Sequence, residues 1–136
     1  GGAVYHDLGN INFSIITDAG EKSTLTMERF TSPIAEILKE LGVNAEISGR
    51  NDITVNGSKV SGNAQYLFSN RILHHGTLLF DSNMSIIQEA LKVKPEKFIS
   101  KSIKSVKSRV GNIRSFLETD MSVNEFIDKL SKRINE

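Results

Sequence analysis

The dipeptide Asn56-Gly57, set between the β-prone runs at 52–55 and 58–61, constrains this chain more than any other feature. Asn and Gly both accept the positive φ of a two-residue type I′ loop, and such a loop fixes the register of the strands it joins. That register sets Val55 against Ser58, Thr54 against Lys59, Ile53 against Val60 and Asp52 against Ser61. Side chains alternate between faces. Ile53, Val55 and Val60 therefore share one face with Ser58, while Asp52, Thr54, Lys59 and Ser61 share the other. The apolar face requires a core. The polar face carries an ammonium with a carboxylate diagonal to it, about 7–8 Å apart backbone to backbone. A lysine so placed suits phosphate oxygens and developing negative charge. A solvated face with a weak surface ion pair is the alternative reading.

Periodicity extends the picture on both sides. Residues 3–6 and 11–17 read as strands around a turn at Leu8-Gly9-Asn10, with Ile11, Phe13 and Ile15 alternating with Asn12 and Ser14. Asp7 and Asn10 flank that turn, and turn chemistry alone accounts for both. Residues 18–29 read as a polar loop. Ser32 caps a helix that has Pro33 at its first position. Ile34, Ile37, Leu38 and Leu41 form its buried stripe, and Gly42 ends it. A short strand is expected at 45–47. The second hairpin arm continues to Phe68 and pairs with a strand over 71–80. Helical turns are expected at 84–91 and 113–117, and 95–107 has no clear period. Ser122 and Glu125 form a capping box for the last helix, with Val123, Phe126, Ile127, Leu130 and Ile134 as its buried stripe. Strands dominate the first half and helices the second, so the expected fold class is α+β, a mixed or antiparallel sheet with packed helices.

The chain has no cysteine, which excludes a disulfide scaffold, a cysteine nucleophile and Cys-type metal centres within it. His74 and His75 are strand neighbours and face opposite ways. With His6 the only other histidine, no metal-ligating residues are assigned. No apolar run reaches the roughly 20 residues of a membrane span, so no membrane partner and a cytoplasmic setting are expected. Between Lys92 and Arg114, eight basic residues stand against Glu96 alone. Phe98 is the one aromatic in that run, which leaves base stacking little to work with and argues against nucleic acid.

Five segments carry a family resemblance: GGAVYHDLGNINFS at 1–14, GRND at 49–52, KVSG at 59–62, HHGTLLF at 74–80 and KSIKSVKSRVGNI at 101–113. In this order they resemble the motif series of the lipoate–protein ligase A catalytic domain, of the biotin and lipoate protein ligase superfamily, from Gly1 to about Leu130. The resemblance implies an ATP-dependent ligase. Lipoate and ATP give lipoyl-AMP and pyrophosphate, and the lipoyl group passes to a lysine of a lipoyl domain in a 2-oxoacid dehydrogenase or of the glycine cleavage H protein. It gives Lys59 contacts to the acyl carboxylate and the α-phosphate. It places Gly2, Ala3, Val4 and Tyr5 in the nucleotide-contacting stretch, matches Asn51 and Asp52 to the GRND motif and Ser61 and Gly62 to the lysine motif, puts Asn10 near the phosphates and makes His75 line the pocket. Mg²⁺ is expected with ATP, held largely by phosphates and water, with Asp52 as the nameable carboxylate. The segment ending in SRVGNI resembles the loop that closes over the adenylate, and the basic run overlapping it would attract ATP and an acidic acceptor domain.

Departures shape the rest of the expectation. The family's upstream arginines and a third glycine precede the position matched by Gly1, and Ser102 stands where glycine is common. Residues 1–136 are therefore read as a single partial domain, the central and C-terminal part of the catalytic domain. Its N-terminal part is cleaved, omitted or supplied by a second chain, and the isolated piece is expected to be inactive. Two alternatives stand beside this reading. A biotin–protein ligase shares the fold and an Asn-Asp…Lys…Gly hairpin, although HHGTLLF and SRVGNI lean to lipoate. The other is a non-catalytic fragment or binding subunit.

Overall fold

The computed structural model describes residues 5–20, 27–49, 51–90 and 109–134. Their elements are β1 (Asn10–Asp18), α1 (Glu28–Glu40), β2 (Ala45–Ser48), β3 (Asp52–Val55), β4 (Ser58–Phe68), β5 (Arg71–Leu79), α2 (Met84–Ala90), a 3₁₀ turn (Ile113–Phe116) and α3 (Val123–Ile134). The strands make one antiparallel sheet in the order β1-β5-β4-β3-β2. One face buries Ile53, Val55, Val60 and Leu78 against Ile34 and Leu38 of α1, Phe126 and Leu130 of α3, and Ile113. The opposite face leaves Ile16, Tyr66 and Phe68 more than half exposed.

Local chemistry explains the elements. Asn56 and Gly57 take φ of 49° and 76°, the two positive values that a type I′ loop demands. The hairpin register holds for Val55–Ser58 and Thr54–Lys59 and then slips, with Ile53 opposite Ser61 and Asp52 opposite Gly62. Val60 is the extra residue of a β-bulge, which advances the strand by one residue. The expected pairs Ile53–Val60 and Asp52–Ser61 are thereby corrected. Ser61 leaves the lysine face and lies buried beside Leu78, its hydroxyl accepting from Asn63 Nδ2 at 3.2 Å.

The first helix begins earlier than expected, at Glu28, inside a stretch read as loop, and Pro33 lies within it rather than at its start. Proline removes the bond to the carbonyl of Arg29, and Arg29 is exposed, so water can satisfy that group. The helix ends as expected: Gly42 has φ of 80°, and Val43 N–H donates to Leu38 O at 2.9 Å, closing a Schellman motif. In the last helix the capping box forms, with Ser122 N–H donating to Glu125 Oε2 at 2.7 Å and Glu125 N–H to Ser122 Oγ at 3.3 Å. Its stripe is narrower than expected. Phe126 and Leu130 are buried, Phe126 stacking on Phe80 at 4.5 Å, while Ile127 and Ile134 stay exposed along a groove beside Ile11 and Phe13 of β1. No strand runs through Tyr5 and His6. The sheet is antiparallel throughout its ladders, which settles the mixed-or-antiparallel expectation.

Candidate functional site

The bulge, by shifting β4 one residue, composes the open face. Along one row lie Asn12 of β1, Thr77 of β5, Gly62 of β4 and Asp52 of β3, each directly paired with the next. Adjacent strands are about 4.8 Å apart, so this small and polar row crosses roughly 14 Å of sheet. Lys59 reaches back over it. Its Nζ lies 2.8 Å from Asp52 Oδ1, with the two side chains 29% and 26% exposed. Gly62 makes room for this crossing. A Cβ there would sit 3.3 Å from Lys59 Cε and 3.4 Å from Nζ. The expected shared face of Asp52 and Lys59 is therefore observed, and their side chains meet across it.

The backbone of Lys59 is fixed as firmly as its head. Lys59 N–H donates to Arg109 O at 2.6 Å and Gly111 N–H donates to Lys59 O at 3.0 Å, a parallel bridge between Lys59 and Val110. Gly111 permits the approach, since a Cβ there would come within 3.0 Å of Ser58 Cβ. The middle of the SRVGNI segment is thus tied to the lysine itself. Arg114, counted in the basic run, is committed elsewhere: it bonds Asp81 Oδ2 at 2.7 Å and Asp120 Oδ1 at 2.7 Å. Those two carboxylates hold its guanidinium well above its ordinary pKa, with the Asp120 hydrogen bond contributing most.

Beyond the row, Asn10 and Asn12 both direct Nδ2 at His6 Nδ1, at 2.6 and 3.3 Å. His75 is exposed on the same face and meets Ser14 Oγ at 3.1 Å. His74 faces the opposite way and is fully buried, so the pair does not converge. Tyr5 sits beside Asp7, and burial followed by the Asp7 charge raises its phenol pKa. Asp7 anchors the turn: its carboxylate accepts from Gly9 N at 2.9 Å and Asn83 N at 2.8 Å. Burial pushes Asp7 up, but those donors outweigh it and hold the carboxyl below its usual range. Asn51 donates Nδ2 to Asn63 O at 2.8 Å, so its amide is engaged with β4. Gly2, Ala3, Val4, the loop segment 101–108 and most of the basic run lie outside the described residues.

Sequence reasoning brought Asn51, Asp52, Lys59, Gly62, Asn10 and His75 to this face or its rim. It missed Thr77, Asn12 and the Arg109–Gly111 clamp. The alternation in β1 and β5 signals Asn12 and Thr77 once the two strands are paired. Among the described residues no three His, Cys, Asp or Glu side chains gather to hold a metal ion. No helix among them is long and apolar enough to cross a membrane.

Sheet order, helix packing and the lysine hairpin together make the fold of lipoate protein ligase catalytic domains. A bi-partite lipoate protein ligase from Thermoplasma acidophilum, studied with its E2 lipoyl domain, matches 99% of this chain and 53% of its own at 31% identity and a TM-score of 0.78. A lipoate-protein ligase A bound with ATP matches 97% and 53% at 25% identity and a TM-score of 0.75. The chain belongs to the lipoyl protein ligase A/B catalytic domain family, whose model matches residues 1–135. It is 53% identical over 134 residues to lipoate-protein ligase LplJ of Bacillus subtilis (strain 168), covering 98% of this chain and 40% of that protein. The chain thus spans about 40% of the length of such curated relatives.

Proposed function

We propose that this chain supplies the adenylate-handling face of a lipoate–protein ligase. The complete enzyme activates lipoate with ATP as lipoyl-AMP and transfers the lipoyl group to a lysine of an acceptor protein. Residues 1–136 are read as the central and C-terminal part of the catalytic domain, completed by further chain or a second chain. The similar proteins are named lipoate–protein ligases, one with bound ATP and one studied with an E2 lipoyl domain, which supports this substrate set. A lipoyl domain or H protein as acceptor, and a cytoplasmic setting, go with that reading.

The observation that carries it is Lys59, clamped by Asp52 on one side and by Arg109–Gly111 along its backbone. In the first step a lipoate carboxylate oxygen attacks the α-phosphorus, and the bond to pyrophosphate breaks. Two anions must meet. An ammonium already held in place offsets their repulsion and stabilises the charge that shifts to the leaving group. Asp52 holds the Lys59 ammonium in place, so the residue acts as an electrostatic anchor and not as a nucleophile. In the second step the acceptor lysine amine attacks the carbonyl carbon and AMP departs, its phosphate again beside Lys59. Mg²⁺, if bound with ATP, would be held largely by the phosphates and water with Asp52 as the nearby carboxylate, and would supply neutralising charge. The acyl chain fits the open face beyond Gly62, past Ala64 and His75, to the apolar row formed by Ile16, Leu73 and Tyr66.

In the complete ligase, Lys59→Ala should lower lipoate-dependent ATP–pyrophosphate exchange by roughly 100- to 1000-fold without changing thermal unfolding. Normal exchange by that variant would refute the role. Exchange driven by biotin instead of lipoate would move the chain to the biotin reading.

A further inference from the structure

The polar core of this domain leads into its site. His74 is fully buried, its ring stacked on Phe30 at 4.7 Å and near Phe13 at 5.8 Å. Both ring nitrogens are engaged, Nδ1 with Gln65 Nε2 at 3.0 Å and Nε2 with Asn63 Oδ1 at 3.1 Å. The Gln65 amide is the donor to Nδ1, so the proton sits on Nε2 and is donated to Asn63. Burial, and then the neighbouring His75, hold the imidazole below its ordinary pKa, in keeping with a neutral ring. Asn63 passes the order on. Its Nδ2 donates to Asn51 O at 2.9 Å and its backbone N–H to the same oxygen at 3.0 Å, while Asn51 Nδ2 returns a bond to Asn63 O at 2.8 Å. The next residue is Asp52, which holds the Lys59 ammonium.

We infer that His74 is a positioning residue for Lys59, acting through Asn63 and the Asn51-Asp52 corner. Each link has one good partner geometry. The His74 Nε2–H fixes which edge of the Asn63 amide is the acceptor, and that choice aims Nδ2 at the Asn51 carbonyl. A reversed amide would set two acceptors against each other, a costly arrangement in a buried place. The corner carrying Asp52 is thereby pinned to β4, and the distance from Asp52 to Lys59 is set from inside the core. Positional error of about 1 Å in a reacting group can cost on the order of 100-fold in rate, which gives a buried histidine leverage on a site it never touches.

His74→Phe keeps the stack and deletes both hydrogen bonds. Asn63→Ala breaks the relay one link further on, and His74→Gln restores a donor near the Nε2 position. Two readouts are needed because the kinetic one rests on the ligase reading above. The first is competitive acetylation of the lysines, read by mass spectrometry, beside thermal unfolding. Under the proposal, Lys59 becomes several-fold more reactive in His74→Phe and in Asn63→Ala, other lysines keep their rates, and His74→Gln returns Lys59 towards the parent. The second is lipoate-dependent pyrophosphate exchange in the complete ligase, where kcat should fall by about 10- to 100-fold with KM for ATP little changed. Unchanged Lys59 labelling in both folded variants overturns the proposal, and so does a uniform rise at every lysine, which would mark plain destabilisation. If His74→Phe does not fold, Asn63→Ala decides. A shift in Lys59 labelling without lipoate-dependent exchange in the parent ligase would sink the ligase reading and leave the coupling standing.

Discussion

Gly76→Ala tests how tightly the core is built around this relay. Gly76 lies on β5 two residues from His74, on the core face. A methyl group there would lie 2.5 Å from Phe13 Cε1, and closer still to Phe13 Cζ and Asn63 Oδ1. Carbon atoms in comfortable contact are about 3.5–4.0 Å apart, so the ring and the amide must each retreat by roughly 1 Å or more. Overpacking of this kind costs about 1–3 kcal/mol. Moving Asn63 Oδ1 also strains its bond to His74, and a buried group left unsatisfied costs about 1–3 kcal/mol more. Alanine recovers about 0.4–1 kcal/mol by narrowing the unfolded ensemble. The net loss is about 1–6 kcal/mol, which for a chain of this length lowers Tm by roughly 4 °C or more. Circular dichroism melts of parent and variant measure it. A Tm within about 2 °C of the parent would show that the sheet yields easily at this point and that the relay is not rigid.

Gly62→Val should crowd the Lys59 ammonium away from Asp52, depressing adenylate formation while leaving Tm nearly unchanged; normal exchange kinetics would contradict the role given to that glycine. His74 should make the protein acid-sensitive. Its folded pKa is lowered, so below about pH 6.5 the unfolded chain binds more protons. Stability is then complete above that pH and declines as pH falls towards the folded value. Urea unfolding at pH 7.5 and 5.5 should show this fall in the parent and less of it in His74→Phe; equal falls would be inconsistent. Ser122→Ala removes the hydroxyl half of the α3 capping box and should cost ~1 kcal/mol, read as a lower urea midpoint with an unchanged slope.

Much of the fold was legible where local chemistry decides. Asn56-Gly57 specified its turn, Gly42 ended α1 and Ser122 with Glu125 opened α3, each through bonds spanning a few residues. The failures share a distant cause. Val60 looks like any apolar strand residue, and its bulge accompanies a bridge from Lys59 to Val110, 51 positions away. Ser61 went to the wrong face for that reason alone. Pro33 resembled a helix start because the preceding polar residues masked α1, which tertiary contacts at Phe30 and Thr31 carry further towards the N-terminus. Ile127 and Ile134 fit a periodic stripe, but the helices and sheet leave that groove uncovered among the described residues. In the site, charge and motif order pointed to Lys59 and Asp52, whereas Thr77 and Asn12 become visible only when β1 and β5, distant in sequence, are laid side by side.

The single extra residue at Val60 separates the Lys59 end of β4 from its outer end. Ahead of it, Lys59 keeps its hold on charge chemistry; behind it, Ala64, Tyr66 and Phe68 can change size without altering that hold. Loss of one residue at the kink would turn every later side chain through the sheet.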